Sequence, residues 1–185
     1  IKSDGNFIIP SEDNSFGLKF INFYAPKKLR RQLQDNIDSQ LAEENDNKQS
    51  PIVGWAYDGN PIYGPYIKDG SSYRTVKSSY LSPITQDPSL RPSNFEPGYF
   101  IEDYPFNREY GDLDEFNGKF VKTNEFPNGT YAYYFTLDDL GDPSYPYAIG
   151  SNFKDNPIRD NFNSLFNQNS NLDGIDIIRN VGPYY

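Results

Sequence analysis

The sequence predicts a β-rich α+β fold: a mainly antiparallel sheet or sandwich, one amphipathic helix over about residues 27–43, and long ordered loops. Three observations support this. Aromatic and apolar residues alternate with smaller or polar ones in several short runs, as in strands buried on one face. Apolar residues recur at helical spacing from residue 29 to residue 41. The 15 Pro and 14 Gly indicate many turns.

In the N-terminal segment, the pattern predicts an arm or edge strand over residues 1–15 and a strand over residues 16–24. The amphipathic helix of about residues 27–43 follows. The charges of the helix oppose its dipole, because basic residues crowd its start and acidic residues its end. The simpler interpretation is a solvated surface helix with screened charges; the alternative is a basic patch for an acidic partner or nucleic acid. The basic residues are Lys27, Lys28, Arg30 and Arg31, and the acidic ones are Glu43, Glu44 and Asp46.

The densest pattern is the block Gly54–Tyr66, which contains the only tryptophan. Alternation around Trp55 predicts a strand, and Asp58-Gly59 supplies turn chemistry because glycine reaches positive φ without steric cost. Two prolines stiffen the second half of the block. We expect one core cluster to contain or to border six residues: Trp55, Tyr57, Ile62, Tyr131, Tyr133 and Phe135.

The rest of the chain predicts strands within long loops. The strongest strand is Thr130–Leu137, because it is dense in aromatic and β-branched residues. The other expected elements are an irregular loop over 68–97 with β pieces near Tyr73–Val76, strand character at Tyr99–Ile101, turns at Asn117-Gly118 (a hairpin) and Pro127–Gly129, and a short helix near Asp160–Asn167.

Composition limits the partners. The chain has 185 residues, is 17% aromatic with 16 Tyr and 14 Phe, and carries a formal net charge of −9. Each buried tyrosine hydroxyl needs a partner, so we expect many of these rings at the edge of the core or at an interface. The negative charge disfavours nucleic acid and anionic lipid surfaces, and no apolar run is long enough to span a membrane.

The sequence has no Cys, His or Met. This composition excludes thiolate nucleophiles, Ser-His-Asp triads and imidazole ligands. Zinc, copper and iron would lack the ligands they favour, so we expect none of these metals and no cofactor. We expect residues 1–185 to form a single domain cut from a longer protein, with residues 154–185 as an Asn-rich extension.

Four separated blocks occur in order along the chain: Gly54–Tyr66, Leu113–Gly118, Tyr131–Tyr134 (the tetrad) and Tyr145–Tyr147 (the fourth block). Together they resemble the YHYH-domain family. Its members carry a G-x-A-x-D-G-x-P-I-Y-G block, an L-D-E-x-N-G block and a name-giving tetrad, and the similarity spans about residues 52–153. The form of the blocks is most similar to that in large virion structural proteins of marine tailed phages. The matching residues are Gly54, Trp55, Asp58, Gly59, Pro61, Ile62, Tyr63, Gly64, Leu113, Asp114, Glu115, Asn117, Gly118, Tyr131, Tyr133, Tyr145, Pro146 and Tyr147.

The chain departs from the family pattern at both histidines of the tetrad, where it has Ala132 and Tyr134. Alternation places these two positions on one face of a strand. In relatives that keep them, paired imidazoles could bind a metal or move a proton. Without the histidines, this chain can neither bind a metal nor transfer a proton at these positions. The resemblance therefore implies a domain with a structural role, and we expect both faces of the strand to be buried.

The resemblance implies a non-enzymatic structural module of a phage virion, located in the tail or baseplate and in contact with other virion subunits. The alternative is a surface module that binds a host glycan or receptor through tyrosines or Trp55. A second alternative is a carboxylate-based hydrolase, since such enzymes use two carboxyls at a set separation. Its candidates are Glu102, Asp103, Asp112, Asp114 and Glu115.

One acidic loop is also the candidate calcium site. Asp112, Asp114, Glu115 and Asn117 offer oxygen ligands, but their spacing does not match an EF-hand loop. A turn capped by its own side-chain oxygens explains the same residues more simply.

Overall fold

The computed structural model describes residues 6–10, 18–22, 24–44, 48–83, 89 and 94–157. It confirms a β-rich α+β fold, with one four-stranded sheet and two two-stranded sheets. The expected helix near Asp160–Asn167 lies outside the described residues. The elements are β1 (Asn6–Pro10), β2 (Leu18–Asn22), α1 (Lys27–Gln32), β3 (Ile52–Trp55), β4 (Pro61–Tyr63), β5 (Tyr66–Asp69), β6 (Ser72–Thr75), a 3₁₀ turn (Ile101–Asp103), β7 (Gly118–Val121) and β8 (Thr130–Tyr134).

The central sheet has the strand order β3-β4-β8-β7. Its middle pair, β4 and β8, is parallel, with Ile62 opposite Tyr133 and Tyr63 opposite Tyr134. The other neighbouring strands are antiparallel. The sheet is therefore mixed, and its centre joins the Gly54–Tyr66 block to the tetrad strand.

The two smaller sheets are antiparallel hairpins. β1 pairs with β2, which agrees with the strands expected in the N-terminal segment. β5 pairs with β6 through a turn at Gly70, and β6 confirms the β piece expected near Tyr73–Val76. No described helix has the length and apolar character needed to cross a membrane.

Two expected elements of the central region are wrong. Asn117-Gly118 is not the tip of a hairpin, because β7 begins at Gly118 and pairs with β8 across the later turn that contains Gly129. Residues 101–103 form a 3₁₀ turn instead of continuing a strand. The cause is Asp103, whose carboxylate accepts the N–H groups of Gly98 (2.9 Å) and Phe100 (3.0 Å) and so bends the backbone.

The core lies on the opposite face of β8 from the one that we expected. Tyr133 is buried outside the main cluster, while Trp55 is 59% exposed and Tyr57 68% exposed. The aromatic strands β3 and β8 lie in one sheet with β4 between them, so they do not pack face to face. Ile62, Tyr131 and Phe135 are only partly buried. The cluster consists of Tyr63, Ile67, Val76, Leu113, Ala132 and Tyr134.

Helix α1 is six residues long, far shorter than the expected span of about 27–43. After Gln32 the chain turns back on itself: Gln34 and Leu41 have positive φ, and Ile37 forms a β-bridge with Glu43. The helical spacing of the apolar residues was therefore misleading. Glu43 and Glu44 do not oppose a helix dipole, because they follow the chain reversal, and Asp46 lies outside the described residues.

Arg30 explains this reversal and departs from the solvated interpretation, which holds for the exposed Lys28 and Arg31. Its side chain is fully buried and bonds Asp35 Oδ2 at 2.6 Å and both Glu43 carboxylate oxygens at 2.6 and 2.8 Å. Burial alone would lower the pKa of Arg30, but hydrogen bonds and charges from Glu43 and Asp35 raise it overall. The network continues through Ser50, which donates to Asp35, and Tyr66, which donates to Glu43.

The Arg30→Ala variant is expected to unfold with a free energy about 3–5 kcal/mol lower, because it leaves two carboxylates without their buried cation. The matched control is Arg31→Ala, since Arg31 is the exposed neighbour on the same helix; its effect should stay within about 0.5 kcal/mol. Urea denaturation of both variants measures the difference. Equal losses would contradict the role given to Arg30.

Candidate functional site

The tetrad strand and the central block meet through a buried tyrosine–aspartate pair. The Tyr133 hydroxyl donates to Asp58 Oδ2 at 2.5 Å and accepts the Lys154 N–H at 2.6 Å. Asp58 also accepts the backbone and side-chain N–H groups of Asn60, which close the turn before β4. One carboxylate thus joins the turn, the centre of β8 and the segment near Lys154.

These hydrogen bonds set the charge state of Asp58. Burial would raise its pKa, but the hydrogen bonds from Tyr133 and Asn60 outweigh burial and lower the pKa below the ordinary aspartate value. Burial and the same Asp58 contact raise the pKa of Tyr133. At neutral pH the pair is therefore an aspartate anion and a neutral tyrosine that donates to it.

A second pair of the same kind joins the tetrad strand to the acidic loop. The Tyr131 hydroxyl donates to Asp114 Oδ1 at 2.8 Å. The same oxygen accepts the N–H groups of Phe116 and Gly118 at 3.1 Å each, which is the capped turn that we expected. Gly118 is required here, because a Cβ at this position would collide with the Tyr131 hydroxyl.

Asn117 connects this loop to β8 and to Ala148, the residue after the fourth block. It is fully buried, has a positive φ of 65°, and donates from its amide to the carbonyls of Tyr134 (2.9 Å) and Ala148 (3.0 Å). Asparagine tolerates this backbone conformation better than most residues. Hydrogen bonds therefore link the first three sequence blocks directly, and Asn117 reaches the fourth through Ala148, the residue that follows it.

The two tetrad positions without histidine face the core. Ala132 and Tyr134 are fully buried in the main cluster, and the Tyr134 ring stacks on Tyr63 with centroids 5.8 Å apart. Tyr133, between them, is fully buried on the opposite face, so burial on both faces is confirmed. No described protein group hydrogen-bonds the Tyr134 hydroxyl, although the atom is buried.

Of the other carboxylates proposed from the sequence, Asp112 and Asp103 each have their own hydrogen-bond partners. Arg74 holds Asp112 through two hydrogen bonds of 2.6 and 2.7 Å, and this contact lowers the pKa of Asp112. Asp103 stabilises its own turn, while Glu102 and Glu115 are exposed. Within the described residues, no three acidic side chains are arranged to hold a metal ion.

A cleft of about 350 Å³ lies beside the fourth block. Tyr145 and Tyr147 line it, and the Tyr145-Pro146 peptide bond between them is cis. Sequence reasoning missed the other rings of this cleft, because they lie in irregular segments without periodic pattern. These are Tyr80, Tyr104 and Tyr110.

A comparison with protein families finds a match over residues 26–149 to the family described as YHYH protein. The match covers more than half of the chain. It begins upstream of the region of about 52–153 in which we noted the resemblance, so it includes Arg30 and its acidic partners. No curated protein and no solved structure gives a significant match.

Two neighbouring tyrosines give opposite predictions. Tyr133→Phe should lower the free energy of unfolding by about 1–3 kcal/mol, because it removes the hydroxyl bonded to Asp58 and Lys154. Tyr134→Phe should be neutral or stabilising by up to about 1 kcal/mol, because it removes a buried hydroxyl that has no hydrogen-bond partner among the described residues. Urea denaturation at pH 7 measures both, and equal effects would contradict the assigned contacts.

The loss in Tyr133→Phe should also depend on pH. A lowered aspartate pKa stabilises the folded state above the ordinary aspartate value, and this contribution is lost as pH falls through the lowered folded value. The difference between the unsubstituted protein and Tyr133→Phe is therefore expected to be largest above about pH 4 and to shrink below it. If the stability difference between the two proteins grew as the pH fell, the proposed lowering of the Asp58 pKa by Tyr133 would be contradicted.

Restoring the tetrad histidines is expected to harm the domain. In the Ala132→His, Tyr134→His double variant, an imidazole at position 132 overfills a close-packed site, at a cost of about 1–3 kcal/mol. A melting curve and a zinc-binding titration of the double variant test this, with Ala132→Val as the control for added volume alone. Tight zinc binding without loss of stability would show that the site is still open.

Proposed function

Because the family match covers more than half of its length, the chain belongs to the YHYH protein family, and we propose that it is a non-enzymatic structural module. The observation that carries this proposal is that polar side chains of the sequence blocks form hydrogen bonds within the domain. Asp58, Asp114 and Asn117 all bond to the tetrad strand or to the backbone beside it. Their side-chain hydrogen bonds hold separate segments of the chain together.

The setting that we propose is a phage virion, with the protein in the tail or baseplate. The form of the four blocks supports this, since it resembles large virion structural proteins of marine tailed phages. The partners would be other virion subunits, and the contacts would be made by folded surfaces of this domain.

The two edges of the central sheet are the surfaces that suit subunit contact. β3 and β7 are its edge strands, and edge strands offer unpaired backbone groups to another chain. Each carries a large exposed aromatic side chain, Trp55 at 59% and Phe120 at 68%. Exposed aromatic residues of this kind are enriched where proteins meet.

The location is tested by mass spectrometry of gradient-purified virions from the phage that encodes this sequence. We expect the protein that contains it among the particle components, at a constant ratio to a known tail protein. Its presence in the infected cell together with its absence from purified particles would overturn the proposal.

A Trp55→Ala, Phe120→Ala double variant should reduce incorporation into particles about tenfold while leaving the melting temperature within a few degrees, because both rings are mainly exposed. Tagged copies expressed during infection, followed by immunoblots of purified virions, measure incorporation. Leu140→Ala is the matched control, since Leu140 is 88% exposed and lies outside these strands. Equal incorporation of all three forms would exclude the sheet edges as contact surfaces.

A further inference from the structure

We propose that the cleft beside the fourth block binds a neutral carbohydrate through its tyrosines, an activity beyond the proposed structural role. Its volume of about 350 Å³ lies at the lower end of the range of small-molecule sites, roughly 300–1,000 Å³. The chain segments that form it are residues 77–83 and 137–147, with two further rings from the loop between them. We call it the tyrosine cleft, and its aromatic members are Tyr80, Tyr104, Tyr110, Tyr145 and Tyr147.

The rings form one fixed array around Tyr145. Tyr104 stacks on Tyr145 with centroids 4.2 Å apart and planes at 16°. Tyr80 meets Tyr145 nearly at right angles, at 5.1 Å and 86°, and Tyr147 does so at 6.0 Å and 76°. Because the rings support one another, they lose little conformational freedom when a ligand binds.

Polar groups stand beside these rings. Asp138 Oδ1 is already used within its own loop, where it accepts the N–H groups of Leu140 and Asp142 at 2.9 Å each. This fixes the loop that carries Asp139, an exposed carboxylate of the cleft wall. A sugar needs this combination, since its C–H face packs on an aromatic ring while its hydroxyls bond to carboxylates and tyrosine hydroxyls.

The charges of the cleft favour a neutral ligand. Asp138 and Asp139 disfavour an anion, and the chain as a whole is strongly acidic. A cationic ligand meets competition, because the Lys77 ammonium group already lies 4.4 Å from the centre of the Tyr110 ring. A neutral polyhydroxylated molecule avoids both costs.

The Tyr147 backbone indicates that its ring is held in place. Its φ of 72° lies in the left-handed region, which is unfavourable for a side chain of this size. The Tyr147 N–H donates to Ser144 O at 2.8 Å, and its carbonyl accepts the Thr136 N–H at 3.1 Å. These bonds keep a ring that is 39% exposed at the cleft.

The test uses the full 185-residue chain and saturation-transfer NMR. The probes are methyl glycosides of glucose, galactose, mannose, rhamnose and N-acetylglucosamine, with tetramethylammonium as the cationic alternative. We expect at least one glycoside to bind, and Tyr147→Ala and Asp139→Asn each to weaken that glycoside about tenfold or more. Tyr57→Ala, at a tyrosine that is 68% exposed outside the cleft, should leave binding unchanged.

Tyr147→Phe is the control for misfolding of Tyr147→Ala. It keeps the aromatic ring and removes only the hydroxyl, so it should weaken glycoside binding no more than about threefold. The proposal is overturned if no glycoside binds, if both cleft variants bind as well as the unsubstituted chain, or if tetramethylammonium binds in preference to every glycoside. These outcomes are independent of the structural role, which is decided by the protein content of virions.

Discussion

The structure depends on hydrogen-bond partners for the buried hydroxyls of Tyr63, Tyr66 and Tyr133, while the Tyr134 hydroxyl has no partner among the described residues. A buried hydroxyl without a hydrogen bond costs free energy, so a core built with tyrosines must bring polar groups to fixed points at its edge. Here the partners come from distant parts of the chain: Asp58 for Tyr133, and Thr123 with Glu125 for Tyr63. Each pair fixes the position of a loop against the central sheet, and the aromatic strands thereby determine the path of the loops.

The same requirement explains the family blocks. On the tetrad strand, one face carries Tyr131 and Tyr133, whose hydroxyls bond to Asp114 and Asp58, and the other carries Ala132 and Tyr134 within the core. Aspartate suits both loops, because one carboxylate accepts a tyrosine hydroxyl and the N–H groups of a tight turn together. Glycines of the same blocks allow other segments to approach the backbone closely. A Cβ at Gly64, for example, would lie 2.6 Å from Asp35 Oδ2 and from Ser50 Oγ.

The sequence was sufficient for features that depend on neighbouring residues. Alternation and turn chemistry predicted the strand at Thr130, the β piece near Tyr73 and the capped turn at Asp114. The sequence was insufficient where a contact with a residue distant along the chain determines the local structure. The spacing of Leu29 and Leu33 favoured a long helix, but Arg30 bonds to Glu43 only after the chain reverses, and no local pattern encodes that reversal.

Trp55 and the tyrosine cleft, the two surfaces proposed for binding, show the same limit of sequence-based prediction. A tryptophan on a strand is usually buried, yet β3 is an edge strand, and Trp55 at its end is left with an edge contact to Phe126 at 6.4 Å. The cleft is formed by rings from Tyr80 to Tyr147 that converge only in the folded chain. Trp55 lies outside the paired hydroxyls, whereas Tyr80 and Tyr104 of the cleft donate to the carbonyls of Glu115 (2.6 Å) and Gly98 (3.3 Å). The exposed Trp55 ring can therefore change with less effect on folding than the aspartates that bond to the tetrad strand, because no buried hydrogen bond depends on it.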